Sequence, residues 1–249
     1  MQRRILMVAF HFPPLAGSSG IQRTLRFAQH LPDFGWQPLI LSAHPRAYER
    51  TSDDLMAEVP EGMVVRRAFA LDTARHLAIR GRYVGALARP DRWMTWRFDA
   101  VRQGLQMVRR YRPQVLWSTY PIATAHVIGA ELARLTGLPW IADFRDPMAQ
   151  EGYPADPATW HQYKRIEERA VAQGCASTFT TPGAAAEYRR RYPTHAHKVQ
   201  VIENGYDEES FAAVHTAERA LPLVEGAVTL LHSGIVYPSE RDPTQLMAA

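Results

Sequence analysis

At 249 residues with 46% hydrophobic content, the chain can bury one full core and begin a second, which excludes a disordered protein. Its single cysteine, Cys175, excludes an internal disulfide framework and a multi-cysteine zinc site; it reads as a small buried residue in a protein of the reducing cytoplasm. The net charge of +4 and a pI near 9.4 favour anionic partners such as nucleotides or phospholipid surfaces, although Lys164 and Lys198 are the only lysines, and the arginine- and alanine-rich composition points as much to a GC-rich bacterial genome.

The apolar run 5–10 is too short for a signal peptide and runs into His11, Pro13 and Pro14, so it reads as a buried first strand. No segment approaches the roughly 20 apolar residues that cross a bilayer. A helix is predicted over 21–31, then strands over 38–42 and 64–69. Residues 71–112, interrupted by Gly81, Gly85 and Pro90, read as two or more helices leaving the sheet. Beyond them strands at 115–118, 140–143, 177–180 and 199–202 alternate with helices at 122–135, 157–172 and 183–191. Pro121 and Pro182 mark helix starts, and Gly137 with Pro139 marks a stop. This alternation predicts an α/β fold, a Rossmann-like parallel sheet with helices on both faces. Residues 1–207 form that domain, 208–226 a polar linker, and 227–249 a strand, loop and helix start expected to open a truncated second domain.

Three motifs carry chemistry. The first strand runs through Pro13 and Pro14 into Gly17, Ser18, Ser19 and Gly20, then into a helix bearing Arg23. Such a loop can turn backbone N–H groups and a helix N-terminus towards phosphate or sugar, although neither the dinucleotide fingerprint nor a Walker lysine is present. The strand through Asp143, Arg145 and Asp146 brings two carboxylates and an arginine to a carboxyl edge, where open α/β sheets bind ligands; a structural Asp–Arg pair is the plainer alternative. Ser118 and Tyr120 end a neighbouring strand and could line the same cleft, and Asn204-Gly205 reads as a turn.

In this order the motifs resemble the retaining glycosyltransferases of family 4, with the GT-B fold of two facing Rossmann-like domains. The Pro-Pro-x-x-Gly loop, 143–147, Glu168-Arg169 ahead of Thr181-Pro182, the Asn204-Gly205-x-Asp207 stretch and 230–234 carry the resemblance over essentially the whole chain. It implies the N-terminal, acceptor-side domain of a metal-independent enzyme without a bound cofactor, whose donor is a nucleotide-diphosphate sugar. The acceptor would be a saccharide or lipid-linked sugar in polysaccharide or cell-surface glycan synthesis. Arg145 and Asp146 would be catalytic. Gly17, Ser18, Ser19, Gly20, Arg23, Ser118, Tyr120, Asp143, Asn204 and, from the second domain, Gly234 would contact substrate. Many relatives carry a histidine where Arg145 stands, and the polysaccharide-assembly branch resembles the Arg-Asp version. The family's basic pair and Glu-x7-Glu motif find no match here, so this stretch alone is expected to be inactive. The alternative is a non-catalytic carbohydrate- or nucleotide-binding module of the same fold.

Arginines interleave with apolar residues over 75–97. A helical hairpin of this make-up could rest on an anionic membrane, at the inner face if the protein is cytoplasmic; helices with a buried apolar face and solvated arginines are the alternative. Nucleic-acid-binding signatures are absent.

Overall fold

The computed structural model describes residues 2–206, 208, 224–232, 236 and 242–247. Seven parallel strands, β1 (Arg3–Val8), β2 (Trp36–Ala43), β3 (Val64–Ala68), β4 (Val115–Thr119), β5 (Trp140–Arg145), β6 (Ala176–Phe179) and β7 (Val199–Val201), form one sheet in the order β3-β2-β1-β4-β5-β6-β7. The chain winds outwards from β1 to β3, returns to the centre at β4 and winds the other way. That reversal between β1 and β4 is where a doubly wound sheet opens a crevice at its carboxyl edge.

Strand periodicity divides the core in two. Leu6, Val8, Leu39, Leu41, Leu116, Trp140, Ala142 and Phe144 pack with α3 (Trp96–Tyr111), α4 (Ala123–Thr136), α5 (Pro157–Gln173) and α6 (Pro182–Arg191). Ile5, Met7, Ala9, Ile40 and Trp117 face the other way, against Leu25 and Ala28 of α1 (Gly20–His30). Helix ends follow local chemistry. Asp156 caps α5 through Thr159 N–H and Thr181 caps α6 through Ala184 N–H, each with proline in the first turn. Gly137, at φ +71°, ends α4 in the left-handed conformation.

Chain contacts define one unit over Met1–Asn204 and another over Gly205–Ala249. The expected strand at 227–232 is not formed, and 244–247 make a single helical turn. Nearly all of the predicted linker, along with Gly234, lies outside the described residues. The expected helical hairpin is also absent: residues 71–95 hold α2 (Thr73–His76), a 3-10 turn at Gly85–Ala88 and irregular chain. Gly81 and Pro90 interrupt the pattern before the first long helix starts at Trp96. Cys175, read as buried, is exposed. Among the described residues no helix is long and apolar enough to cross a membrane.

Candidate functional site

All strands run the same way, so the loops after β1, β4, β5, β6 and β7 share one edge. Alternation then selects which side chains meet. Counting by two, Met7 and Ala9 fall on the α1 side, as do Trp117 with Thr119 and Ile141 with Asp143. Ser118 and Tyr120 fall on the opposite side.

Asp143 is fully buried and takes a bidentate ion pair from Arg23, Nε–Oδ2 3.0 Å and Nη2–Oδ1 2.9 Å. The hydroxyls of Thr119 and Thr178 donate to the same carboxylate at 2.8 and 2.6 Å. Arg23 Nη1 donates to Asn204 Oδ1 at 3.1 Å, and its guanidinium lies 4.8 Å from the Phe27 ring centroid. Two predicted substrate contacts therefore belong to the interior. Asp143 spends its accepting capacity on four donors, and its arginine partner is Arg23 rather than Arg145.

Ser118 and Tyr120 need the same correction. The Ser118 hydroxyl, fully buried, receives the Trp140 indole N–H at 2.8 Å and lies 2.8 Å from His126 Nδ1 in α4. Tyr120 is buried against Tyr163 of α5. Both point under the helices because they sit one residue out of phase with Thr119.

The other predicted residues converge. β5 is irregular against β6 between Asp143 and Arg145, and Arg145 takes a left-handed backbone, φ +65°. Its carbonyl accepts both the N–H and the hydroxyl of Thr180 at 2.9 Å, which holds that conformation. Its guanidinium turns back over the edge. Nη1 donates to Tyr120 O at 3.3 Å, while Nε is buried without a partner. Burial lowers the guanidinium pKa, and the carboxylates of Asp143 and Asp146 oppose that shift. The Asp146 side chain is exposed.

The β1–α1 loop reaches the same point. A Cβ placed on Gly20 would stand 2.4 Å from His11 Nδ1, 3.0 Å from Arg145 Nη1 and 3.3 Å from Ser18 Oγ, so loop, histidine and arginine touch where a side chain would otherwise be. Ser18 Oγ accepts Gly20 N–H at 3.2 Å and lies 3.1 Å from His11 Nδ1. Burial, with Arg145 beside it, lowers the His11 pKa to about 4. The N–H groups of Ile21 and Gln22 bond to the carbonyls of Ser18 and Ser19, so the first turn of α1 is partly engaged within the loop. Gly17, at φ +76°, and Ser19 are exposed, as is Asn204.

Sequence reading passed over His11, which the β1–α1 loop, not strand alternation, carries to the edge: β1 ends at Val8, and Phe12 packs on the same side as Met7 and Ala9. It also passed over Glu167 in favour of its neighbour. Glu168 is exposed, whereas buried Glu167 ties the loop after β5 to α5 and α6. It accepts from Ala149 N–H (3.1 Å), Tyr188 (2.6 Å), Tyr192 (2.5 Å), Lys164 (3.1 Å) and Arg191 (2.7 Å). Among the described residues no cluster of three or more His, Cys, Asp or Glu side chains could hold a metal ion.

The model of the glycosyl transferase 4-like domain matches residues 19–205. The chain belongs to that family. Within the glycosyl transferase 4-like domain thus defined lie Ser19, Gly20, Arg145 and Asp146, and His11 stands just ahead of the matched region. No curated protein matches the chain. Solved structures that share its fold include the following three. Sucrose-phosphate synthase from Thermosynechococcus elongatus is 14% identical with a TM-score of 0.54, over 86% of this chain and 52% of that one. HepE of Anabaena, solved in complex with UDP-glucose, is 13% identical with a TM-score of 0.52, over 84% and 45%. Apo UGT2 of Phytolacca americana is 12% identical with a TM-score of 0.55, over 86% and 54%. The chain spans about half the length of these structures.

Proposed function

We propose that the complete protein transfers a sugar, with net retention, from a nucleotide-diphosphate sugar to a saccharide or lipid-linked acceptor in polysaccharide or cell-surface glycan synthesis. The glycosyl transferase 4-like domain supplies the acceptor-side wall. The observation that carries this reading is the contact of the 17–20 loop with Arg145 at the carboxyl edge, next to the exposed Asp146. In this role Arg145 offsets negative charge developing on the leaving diphosphate, and Asp146 aligns the acceptor hydroxyl; both are preorganised by the sheet edge. UDP-glucose in the fold-related HepE agrees with a nucleotide-sugar donor. No two glutamates among the 249 residues have the Glu-x7-Glu spacing, so this stretch by itself is expected to transfer no sugar.

The test is sugar transfer by the complete protein, with UDP-, GDP- and dTDP-sugars as donors and lipid-linked saccharides as acceptors. Asp146→Asn and Arg145→Ala should each lower kcat/KM by about 100-fold or more, the scale for removing one preorganised electrostatic contact. Full activity in both variants would overturn these roles. Saccharide or nucleotide binding without turnover would favour the binding module.

The acceptor side also carries a surface suited to lipid. Arg75 donates to Tyr48 O, Arg92 pairs with Asp72 and Glu49, Arg97 with Glu131 and Arg89 with Asp156, while Trp96 is buried. These contacts fasten the base of the 75–97 excursion. Its tip, 79–87, is exposed throughout and bears Ile79 (79% exposed), Val84 (65%), Tyr83 and Leu87 alongside Arg80 and Arg82. We propose that this tip rests on the anionic inner face of the membrane, bringing the cleft to a lipid-linked acceptor.

A further inference from the structure

His11 sits in the cleft wall with one ring nitrogen committed and the other open. Ser18 Oγ accepts the Gly20 N–H, so the natural direction for its own proton is towards His11 Nδ1, 3.1 Å away. An Nδ1 that accepts leaves the ring proton on Nε2. That nitrogen has no hydrogen-bond partner among the described residues. The Arg145 guanidinium neighbours the same ring: its Nη1, which donates to Tyr120 O, lies 3.0 Å from the space that a Gly20 Cβ would fill, on the Nδ1 side, and its Nε is buried without an acceptor. The His11 ring, with one N–H open, thus adjoins the Arg145 cation; Asp143 and Asp146 act on Arg145 through their charge, but among the described residues no carboxylate forms a direct ion pair with either side chain. Such a pair suits an oxygen-rich anion.

We propose that His11 is a substrate-binding residue: held neutral with its proton on Nε2 by the Ser18 hydroxyl, it donates that hydrogen bond to a diphosphate oxygen that Arg145 binds at the same time. The inference rests on the nucleotide-sugar reading above for the identity of the diphosphate. It differs from a general acid–base role, in which the histidine would have to gain or lose a proton near neutral pH. Three features around the ring argue for the neutral form: the Arg145 cation on the β5 side, the Ser18 hydroxyl and Gly20 N–H on the loop side, and the Phe10 ring 5.9 Å from its own. None stabilises a second positive charge. Burial and Arg145 accordingly carry its pKa down to about 4.

Two measurements on histidine- and arginine-labelled protein test this. Nitrogen-15 NMR at pH 7 should show His11 as the neutral Nε2–H tautomer, and Ser18→Ala should convert it to a tautomer mixture. Pyrophosphate, used as the probe, should shift both His11 Nε2 and Arg145 Nε. His11→Gln, whose amide retains an N–H donor, should bind pyrophosphate within about threefold of the parent, and His11→Phe should bind at least tenfold more weakly. A charged or Nδ1–H ring at pH 7, unmoved resonances, or glutamine as weak as phenylalanine would overturn the proposal. These readouts do not depend on turnover, so a complete protein that transfers no sugar would overturn the functional reading and leave the pyrophosphate result standing.

Discussion

Asp143 shows how a motif residue can support a site without entering it. Its carboxylate is buried, and four side-chain hydrogen bonds from Arg23, Thr119 and Thr178 fix it between β4, β5, β6 and α1. Breaking such a pair strands a buried charge, so Asp143→Ala or Arg23→Met should cost about 3–5 kcal/mol in urea unfolding; a loss below about 1 kcal/mol would show that the pair is solvated. His126 makes a pH-dependent contribution. Burial lowers its pKa to about 4, with Asp143 opposing the shift, while its unfolded value is 6.5. The unfolded chain therefore binds this proton first, and the contribution is present above about pH 6.5 and is lost as pH falls towards 4. Between pH 7 and pH 5 this one group should remove about 2 kcal/mol, and His126→Gln should lose correspondingly less over that range in parallel urea titrations.

At the level of elements, Glu167 joins three pieces of chain that the sheet alone does not hold together. It lies in α5 and accepts from Tyr188, Arg191 and Tyr192 at the end of α6, and from the Ala149 amide beyond β5. Burial by itself would raise its pKa, but the hydrogen bonds from Tyr188, Tyr192 and Arg191 lower it overall, so it stays ionised. Glu167→Ala should lower stability by about 3 kcal/mol or more, whereas Glu168→Ala, at an exposed position, should change it by less than about 0.5 kcal/mol; equal effects in thermal melts would refute the assignment.

The strand and helix order from 5 to 202 was legible because apolar runs of strand length alternate with helical periods and carry proline and glycine at their ends. The site was legible to the level of the edge. Gly20, Arg145 and Asp146 were read as neighbours, but Arg23, Ser118, Tyr120 and Asp143 were read as open because motif spacing does not reveal which face a strand residue occupies. Parity does, and it places Ser118 and Tyr120 beneath α4 and α5; His11, past the end of β1, is brought to the site by the loop. Residues 71–95 read as helices because interleaved arginine and aromatic residues mimic an amphipathic helix, whereas Arg75 bonds to a loop carbonyl and Arg89 and Arg92 to carboxylates. At 227–232 an apolar run of strand length was read as a strand, but among the described residues it pairs with no neighbour.

On the scale of the whole molecule, the uneven distribution of charge and apolar surface bears on where it works. The exposed tip at 79–87 combines two arginines with four large apolar side chains, and each basic residue near an anionic surface adds about 1 kcal/mol. The protein should therefore sediment with phosphatidylglycerol vesicles at low salt and not with phosphatidylcholine. Arg80→Ala with Arg82→Ala should weaken that association by about 30-fold, the equivalent of about 2 kcal/mol. No sedimentation with either lipid would remove the membrane from the account.

Arg23 has a second consequence that lies in neither the cleft nor the core. The same guanidinium that secures Asp143 also reaches Asn204, the last residue of the first unit, and beyond the Ile202 amide this is the one side-chain tether described before Gly205. A tug or twist applied to the backbone at that exit is thus delivered straight to the ion pair beneath β4 and β5. The chain leaving the sheet and the buried Asp143 are thus held by the same guanidinium.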